Sequence, residues 1–162
     1  MLQLIANLLP APLHRLGLRA AHRIRIAVWP IVKPDLTSVS VIASDMDGRV
    51  LLIRQSYGRQ TWQFPGGGLH KKEVPEDGAR RELREETGCE AVSLTLIDRI
   101  EEPVLGASTT CHVFAAQVRD RPEPDGREIL EARFFPLHSL PEPLGGKTRK
   151  RLAMLRERNI GG

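Results

Sequence analysis

Apolar and polar positions change rhythm twice along this chain, and each change marks a different kind of structure. From Leu13, the positions Leu13, Leu16, Ala20, Ile24 and Ala27 recur at spacings of three and four, which predicts a helix. Arg15, Arg19 and Arg23 share another face of it, and Trp29-Pro30 ends it. After Pro34 the period falls to two: Val39, Val41 and Ala43 alternate with Ser38, Ser40 and Ile42. The turn Asp45-Met46-Asp47-Gly48 and the run Val50-Leu51-Leu52-Ile53 complete a predicted β-hairpin. Pro65-Gly66-Gly67-Gly68 reads as a loop. A helix follows, opened by Pro75 with Glu76 and Asp77 in its first turn and closed by Gly88. Ser93–Glu101 and Thr109–Val118 read as strands, Arg121 to Gly126 as a turn, and Ala132–Leu137 as a last short strand. A C-terminal helix is predicted from about Lys147 to Arg158. Alternating strands and helices of this kind predict an α+β fold, a mixed sheet covered by helices. Residues 1–35 are expected to form a basic amphipathic extension, and 36–162 the domain with its C-terminal helix.

Composition narrows the class. The 162 residues are 41% hydrophobic and 27% charged, which suits one globular domain. No stretch approaches the length of a membrane span, and Met1 to Pro10 has neither the basic start nor the small-residue cleavage site of a signal peptide. The cytoplasm is the expected compartment. Cys89 and Cys111 lack the spacing of a zinc site or a disulfide framework and read as reduced core thiols. Asp45 to Gly48 lacks the later ligands of a calcium loop and reads as a turn. The net charge of +4 is concentrated at the ends, with five Lys/Arg in the first 35 residues and six more from Lys147 to Arg158. Such ends suit solvated helix faces and also suit phosphates, RNA or anionic lipid. Packing on the domain is the expected use of the N-terminal stripe, with pairing in a homodimer and lying on a membrane surface as the others.

The candidate chemistry sits on the helix after the glycine loop. Glu82, Glu85 and Glu86 fall within an arc of roughly 100°, because i+3 and i+4 neighbours share a helix face. Taken alone, the segment also suits a solvated helix in which Arg81 offsets the repulsion as an i, i+4 partner of Glu85. The glycines in front add something such a helix does not need, a backbone able to approach a ligand closely and point carbonyls at an ion. Hard divalent cations take oxygen ligands, and Mg²⁺ is commonly held by a few carboxylates together with water and substrate phosphate.

Gly67, Glu73, Arg81, Glu82, Leu83, Glu85, Glu86, Gly88 and Cys89 match the pattern G-x5-E-x7-R-E-U-x-E-E-x-G-U, where U is a bulky apolar residue. Its seven fixed letters give a chance match of roughly one in 10⁹ per window, so the signal is strong where a lone glycine loop is weak. On these residues the chain resembles the Nudix hydrolases. Trp62 to Gly67 is similar to the family's entry to this box, and Glu131 to Leu137 to its closing strand, so the likeness spans about residues 36 to 140. His70, Lys72 and Val74 differ from many members, which carry an acid, a glycine and Ser or Thr there.

The resemblance implies an α/β/α sandwich with a mixed sheet. It also implies Mg²⁺-dependent hydrolysis, with Mn²⁺ as a substitute, of a diphosphate linkage in a nucleoside diphosphate-X or nucleoside triphosphate, a small nucleotide-type substrate. Glu82, Glu85 and Glu86 with the Gly66 carbonyl are then the metal ligands, and Glu73 pairs with Arg81 to hold the loop against the helix. The base for water is a box glutamate, Glu85, or an acid before the last strand, Glu128, with Glu123 and Glu131 as fallbacks. Arg54 and Arg59 are candidates for phosphate, and Tyr57 or Trp62 for stacking on a base, although Trp62 also reads as core. His112 and Cys111 read as packing residues. Two other functions remain open: removal of phosphates from RNA 5′ ends, which the basic termini suit, and a non-catalytic nucleotide-binding regulator. The complete glutamate set argues against the regulator, since a sensor has no need to maintain such repulsion.

Overall fold

The structure, a computed structural model, describes residues 17, 20–21, 36–104, 107–124 and 126–160. Most of the expected N-terminal helix lies outside the described residues, as does Asp125 of the expected 121–126 turn. Gly17, Ala20 and Ala21 are described, each helical and exposed. Six strands and two longer helices follow in chain order: β1 (Leu36–Ser44), β2 (Val50–Gln55), β3 (Trp62–Gln63), α1 (Pro75–Thr87), β4 (Ser93–Val104), β5 (Ala107–Gln117), β6 (Ile129–Phe135) and α2 (Gly146–Ile160). The strands and helices expected after Pro34 are all present. The last strand starts three residues earlier than its apolar run suggested, because Ile129 already pairs with Gln55.

The sheet is mixed, with strand order β3-β2-β1-β5-β4 and β6 on the free side of β2. β1 and β5 run parallel from Leu36↔Thr109 to Ser44↔Gln117, whereas the other strand pairs are antiparallel. The turn between β1 and β2 is closed by Asp45, whose carboxylate accepts from the backbone N–H groups of Asp47 and Arg49. Past Ser44↔Val50 the two strands diverge. The chain leaving β3 fills the gap: Val41 N–H donates to the Pro65 carbonyl and Val39 N–H to that of Gly67. A glycine loop is thereby stitched into the sheet as though it were a strand.

Helices cover both faces, an α/β/α arrangement. On β2, Leu51 and Ile53 join the core under α1 with Ala79, Leu83 and Phe114. Val50 and Leu52 join the other, under α2, with Trp62, Val113 and Leu152. All four of these β2 residues are at most 1% exposed, so a continuous apolar run is what a strand buried on both sides requires. Trp62 meets Phe135 edge to face at 4.9 Å, which settles it as a core residue. Cys89 and Cys111 are free and buried, as expected. Among the described residues no helix is long and apolar enough to cross a membrane.

Candidate active site

α1 is amphipathic in an unusual sense, because its buried side ends in a carboxylate. Ala79, Leu83 and Glu86 follow one another at i, i+4 and i+7 down the face turned to the sheet. Ala79 and Leu83 are fully buried and Glu86 is 6% exposed. Val74 precedes the helix without a side-chain cap, and Gly88 ends it by donating its N–H to the Arg84 carbonyl at 2.8 Å.

The loop meets the helix at this carboxylate. Gly66 N–H donates to Glu86 Oε2 at 2.8 Å. Gly66 has φ 149°, and a Cβ there would collide with the Val39 carbonyl oxygen. At Gly67 the obstacle is Glu82, whose carboxylate lies 2.5 Å from where a Cβ would stand. The two glycines therefore permit the contact of loop with sheet and the contact of loop with helix.

Arg81 ties the assembly together. Its Nε and Nη2 donate to the two oxygens of Glu73 at 2.8 and 2.9 Å, and Nη2 also reaches the Gly68 carbonyl at 3.1 Å. Its Nη1 donates to Glu82 Oε1 at 2.8 Å and Glu85 Oε2 at 3.1 Å. The bidentate bond from Arg81, with a further N–H from His70, holds the Glu73 carboxyl at a pKa of about 2.

An open recess of about 340 Å³ lies beside these groups, lined by Gln55, Tyr57, Gly66 to Gly68, Glu82, Glu85, Glu86 and Glu128. Ala21 borders it too. Burial pushes the Glu86 carboxyl well above the usual carboxylate range; the Gly66 N–H opposes this, and the charges of Glu82 and Glu128 add to it. Glu82 is raised for the same first reason, with Arg81 opposing and Glu85 and Glu128 reinforcing. Among the described residues, four carboxylates thus face one small space, with Arg81 bonded to two of them. As the side chains stand, no His, Cys, Asp or Glu group of three converges to hold a metal ion among the described residues. Glu82 and Glu85 are drawn to Arg81, and Glu86 to the Gly66 amide.

The residues named from sequence divide between the two faces of the sheet. Glu82, Glu85, Glu86, Gly66, Tyr57 and Glu128 come together at the recess, with Glu73 and Arg81 bracing it. Arg54 does not. It follows Val50 and Leu52 on the α2 side of β2, ion-paired with Glu131 and lying 5.6 Å over the Trp62 ring. Glu131 is ion-paired with Arg54 and Arg133 and is not part of the recess lining, and Glu123 sits beside Gly88 at the far end of α1. Arg59 is exposed on the β2–β3 loop. His112 and Cys111 lie on β5 away from the recess. The residue that was missed is Gln55, which lines the recess together with Glu86. The period-two alternation Leu51, Ile53, Gln55 carried the signal, since it puts Gln55 rather than Arg54 on the α1 side.

A sequence model of the NUDIX domain matches residues 34–155. An RNA pyrophosphohydrolase of Teredinibacter turnerae is 40% identical over 60 residues, which is 37% of this chain and 35% of that protein. The chain spans about a third of the length of such curated relatives. A MutT NUDIX hydrolase from Burkholderia pseudomallei superposes with a TM-score of 0.68 at 25% identity, over 75% of this chain and 98% of that one. A MutT protein from Methanosarcina mazei does so with a TM-score of 0.69 at 25% identity, over 78% and 96%.

Proposed function

The chain belongs to the Nudix family, and from that premise we propose that it hydrolyses a diphosphate linkage in a nucleoside diphosphate-X or nucleoside triphosphate, using Mg²⁺ or Mn²⁺. One observation carries the reading: Glu86 is buried at 6% exposure beside the like charges of Glu82 and Glu128, an arrangement that costs stability unless a cation joins it. The donor set suits a hard divalent ion, being all oxygen. Glu82, Glu85 and Glu86, with the Gly66 carbonyl, are the groups that would hold it. Glu85 is 55% exposed and its bond to Arg81 is a surface one, so turning it inward costs little. When bound, the ion neutralises charge on the phosphate oxygens.

The remaining work falls to the protein. Arg81 and Glu73 fix the loop against the helix, so that the recess keeps its shape as substrate enters. Glu128 receives the proton of the attacking water. As the water oxygen bonds to phosphorus, the bridging P–O bond breaks and its electron pair leaves with the departing phosphate group. Glu85 is the alternative base, although Arg81 already engages it.

The test is a panel of nucleoside triphosphates and nucleoside diphosphate-X compounds with Mg²⁺ or Mn²⁺, scoring phosphate, pyrophosphate and nucleoside monophosphate. Glu86→Gln is expected to lower turnover by about 10²-fold or more while the protein stays folded. Near-wild-type turnover by that variant refutes the ligand assignment. The similarity to RNA pyrophosphohydrolases supports a second reading, removal of pyrophosphate from RNA 5′ ends. A steep fall of RNA binding with salt distinguishes it from action on a small nucleotide.

A further inference from the structure

We propose that Tyr57 is a positioning residue, whose phenol holds the Glu128 carboxylate in the attitude in which it takes the proton from water. This rests on the hydrolytic reading of the recess. The observation behind it is that the chain leaving β2 grips Glu128 through two consecutive residues. Ser56 N–H donates to the Glu128 carbonyl at 2.8 Å, and Tyr57 Oη donates to Glu128 Oε1 at 2.7 Å. Glu128 is thus fastened at both backbone and side chain by one strand end. That strand is itself anchored, since Leu51, Leu52 and Ile53 are fully buried.

The need for such a hold follows from the charges. Glu128 faces Glu82 and Glu86, and each raises the cost of keeping another anion near. The terminal torsion of a glutamate is broad, so an unrestrained carboxylate there turns outward to water. A phenol O–H donated to a carboxylate is short and charge-assisted, and it adds no charge of its own. A lysine or arginine in the place of Tyr57 would hold Glu128 equally well but would lower its basicity by its charge.

The ring of Tyr57 offers a base a surface for stacking, and the hydroxyl separates the two roles. Tyr57→Phe keeps the ring and deletes only the donor. GTP and ADP-ribose, one triphosphate and one diphosphate-X, serve as probes with the full chain and Mg²⁺. Tyr57→Phe is expected to lower kcat by about 10- to 100-fold, the worth of one charge-assisted bond, with KM within about threefold. In a Glu128→Gln background the same change is expected to cost nothing further. A second readout needs no activity. Tyr57 is the chain's single tyrosine, so [¹³Cζ]tyrosine labelling yields one resonance, which Glu128→Gln is expected to move.

Wild-type kcat in Tyr57→Phe, a loss confined to KM, or an equal loss with and without Glu128 overturns the proposal. Failure of the wild-type chain to hydrolyse either probe counts against the hydrolytic reading instead. In that case the resonance decides alone: if Glu128→Gln leaves it unmoved, the phenol does not hold the carboxylate, and a shift upholds the grip.

Discussion

Glu86 and Glu102 are buried alike, at 6% and 7% exposure, on opposite faces of the same sheet. Their carboxyls nevertheless shift in opposite directions. Burial drives Glu86 upward, and its acidic neighbours add to the effect. Burial also raises Glu102, but Lys147 and Arg151 more than reverse this and leave it lowered. Lys147 Nζ stands 2.8 Å from Glu102 Oε2, and Arg151 Nη1 3.1 Å from Glu102 Oε1. Arg151, itself 3% exposed, also donates from Nη2 to the Cys111 sulfur at 3.1 Å. Burial alone therefore says little about a carboxylate. On the α2 side the countercharge is part of the chain, and the charge belongs to the architecture. On the α1 side the causes that raise Glu86 include the acids Glu82 and Glu128, and no described cation is among them, the kind of perturbed carboxylate that marks candidate functional sites.

Exchanging each charge for an amide breaks this comparison most directly. Beyond its effect on turnover, Glu86→Gln is expected to leave the metal-free melting temperature unchanged or higher, because it relieves repulsion. Glu102→Gln is expected to destabilise by about 3–5 kcal/mol, since it strands a buried arginine, and to leave activity within a fewfold of wild type. Chemical denaturation of both variants with chelator present measures the contrast; equal losses would erase it.

The glycine loop comes next. Gly66→Ala is expected to cost about 1–3 kcal/mol, from the forced backbone at φ 149° and the clash with Val39, and to weaken activity in parallel. Thermal melts and assays on one preparation test the coupling.

Acid titration sharpens the comparison further. Glu102 and Glu73 both have carboxyls depressed by folding, so each stabilises the native state above the unfolded pKa and loses that contribution as pH falls through the folded one. For Glu73 the window runs from about 4.5 down to about 2. Denaturant midpoints measured across that range are expected to fall for the wild-type chain and less steeply for Glu102→Gln or Glu73→Gln.

Val74→Ser is the smallest change. It supplies the side-chain cap that α1 lacks and is expected to add about 1 kcal/mol without altering kcat.

Much of the molecule was legible before folding because its signals are local. Period-two alternation over 38–43 and the apolar run 50–53 marked β1 and β2, and Pro75, Glu76 and Gly88 framed α1 within a residue. The spacing of Glu82, Glu85 and Glu86 put three carboxylates on one helix face, since helix geometry is the same wherever the helix sits. Glu73 and Arg81 came from the family pattern, and eight residues of separation across a loop gave no geometric warrant for their bidentate contact.

What remained hidden concerns pairs distant in sequence. Which face of β2 meets the helix decided between Arg54 and Gln55, and that depends on the packing of α1, 20 residues further on. Tyr57 and Glu128 are 71 residues apart, and only the pairing of β2 with β6 brings the phenol to the carboxylate. Glu102 and Arg151 lie 49 apart, and neither position hints at burial on its own. The sequence by itself determined the elements and the identity of the charges. Tertiary structure alone determined which charges, among the described residues, meet opposite charges and which meet their like, because Coulomb energy follows distance through space and solvent, not order along the backbone.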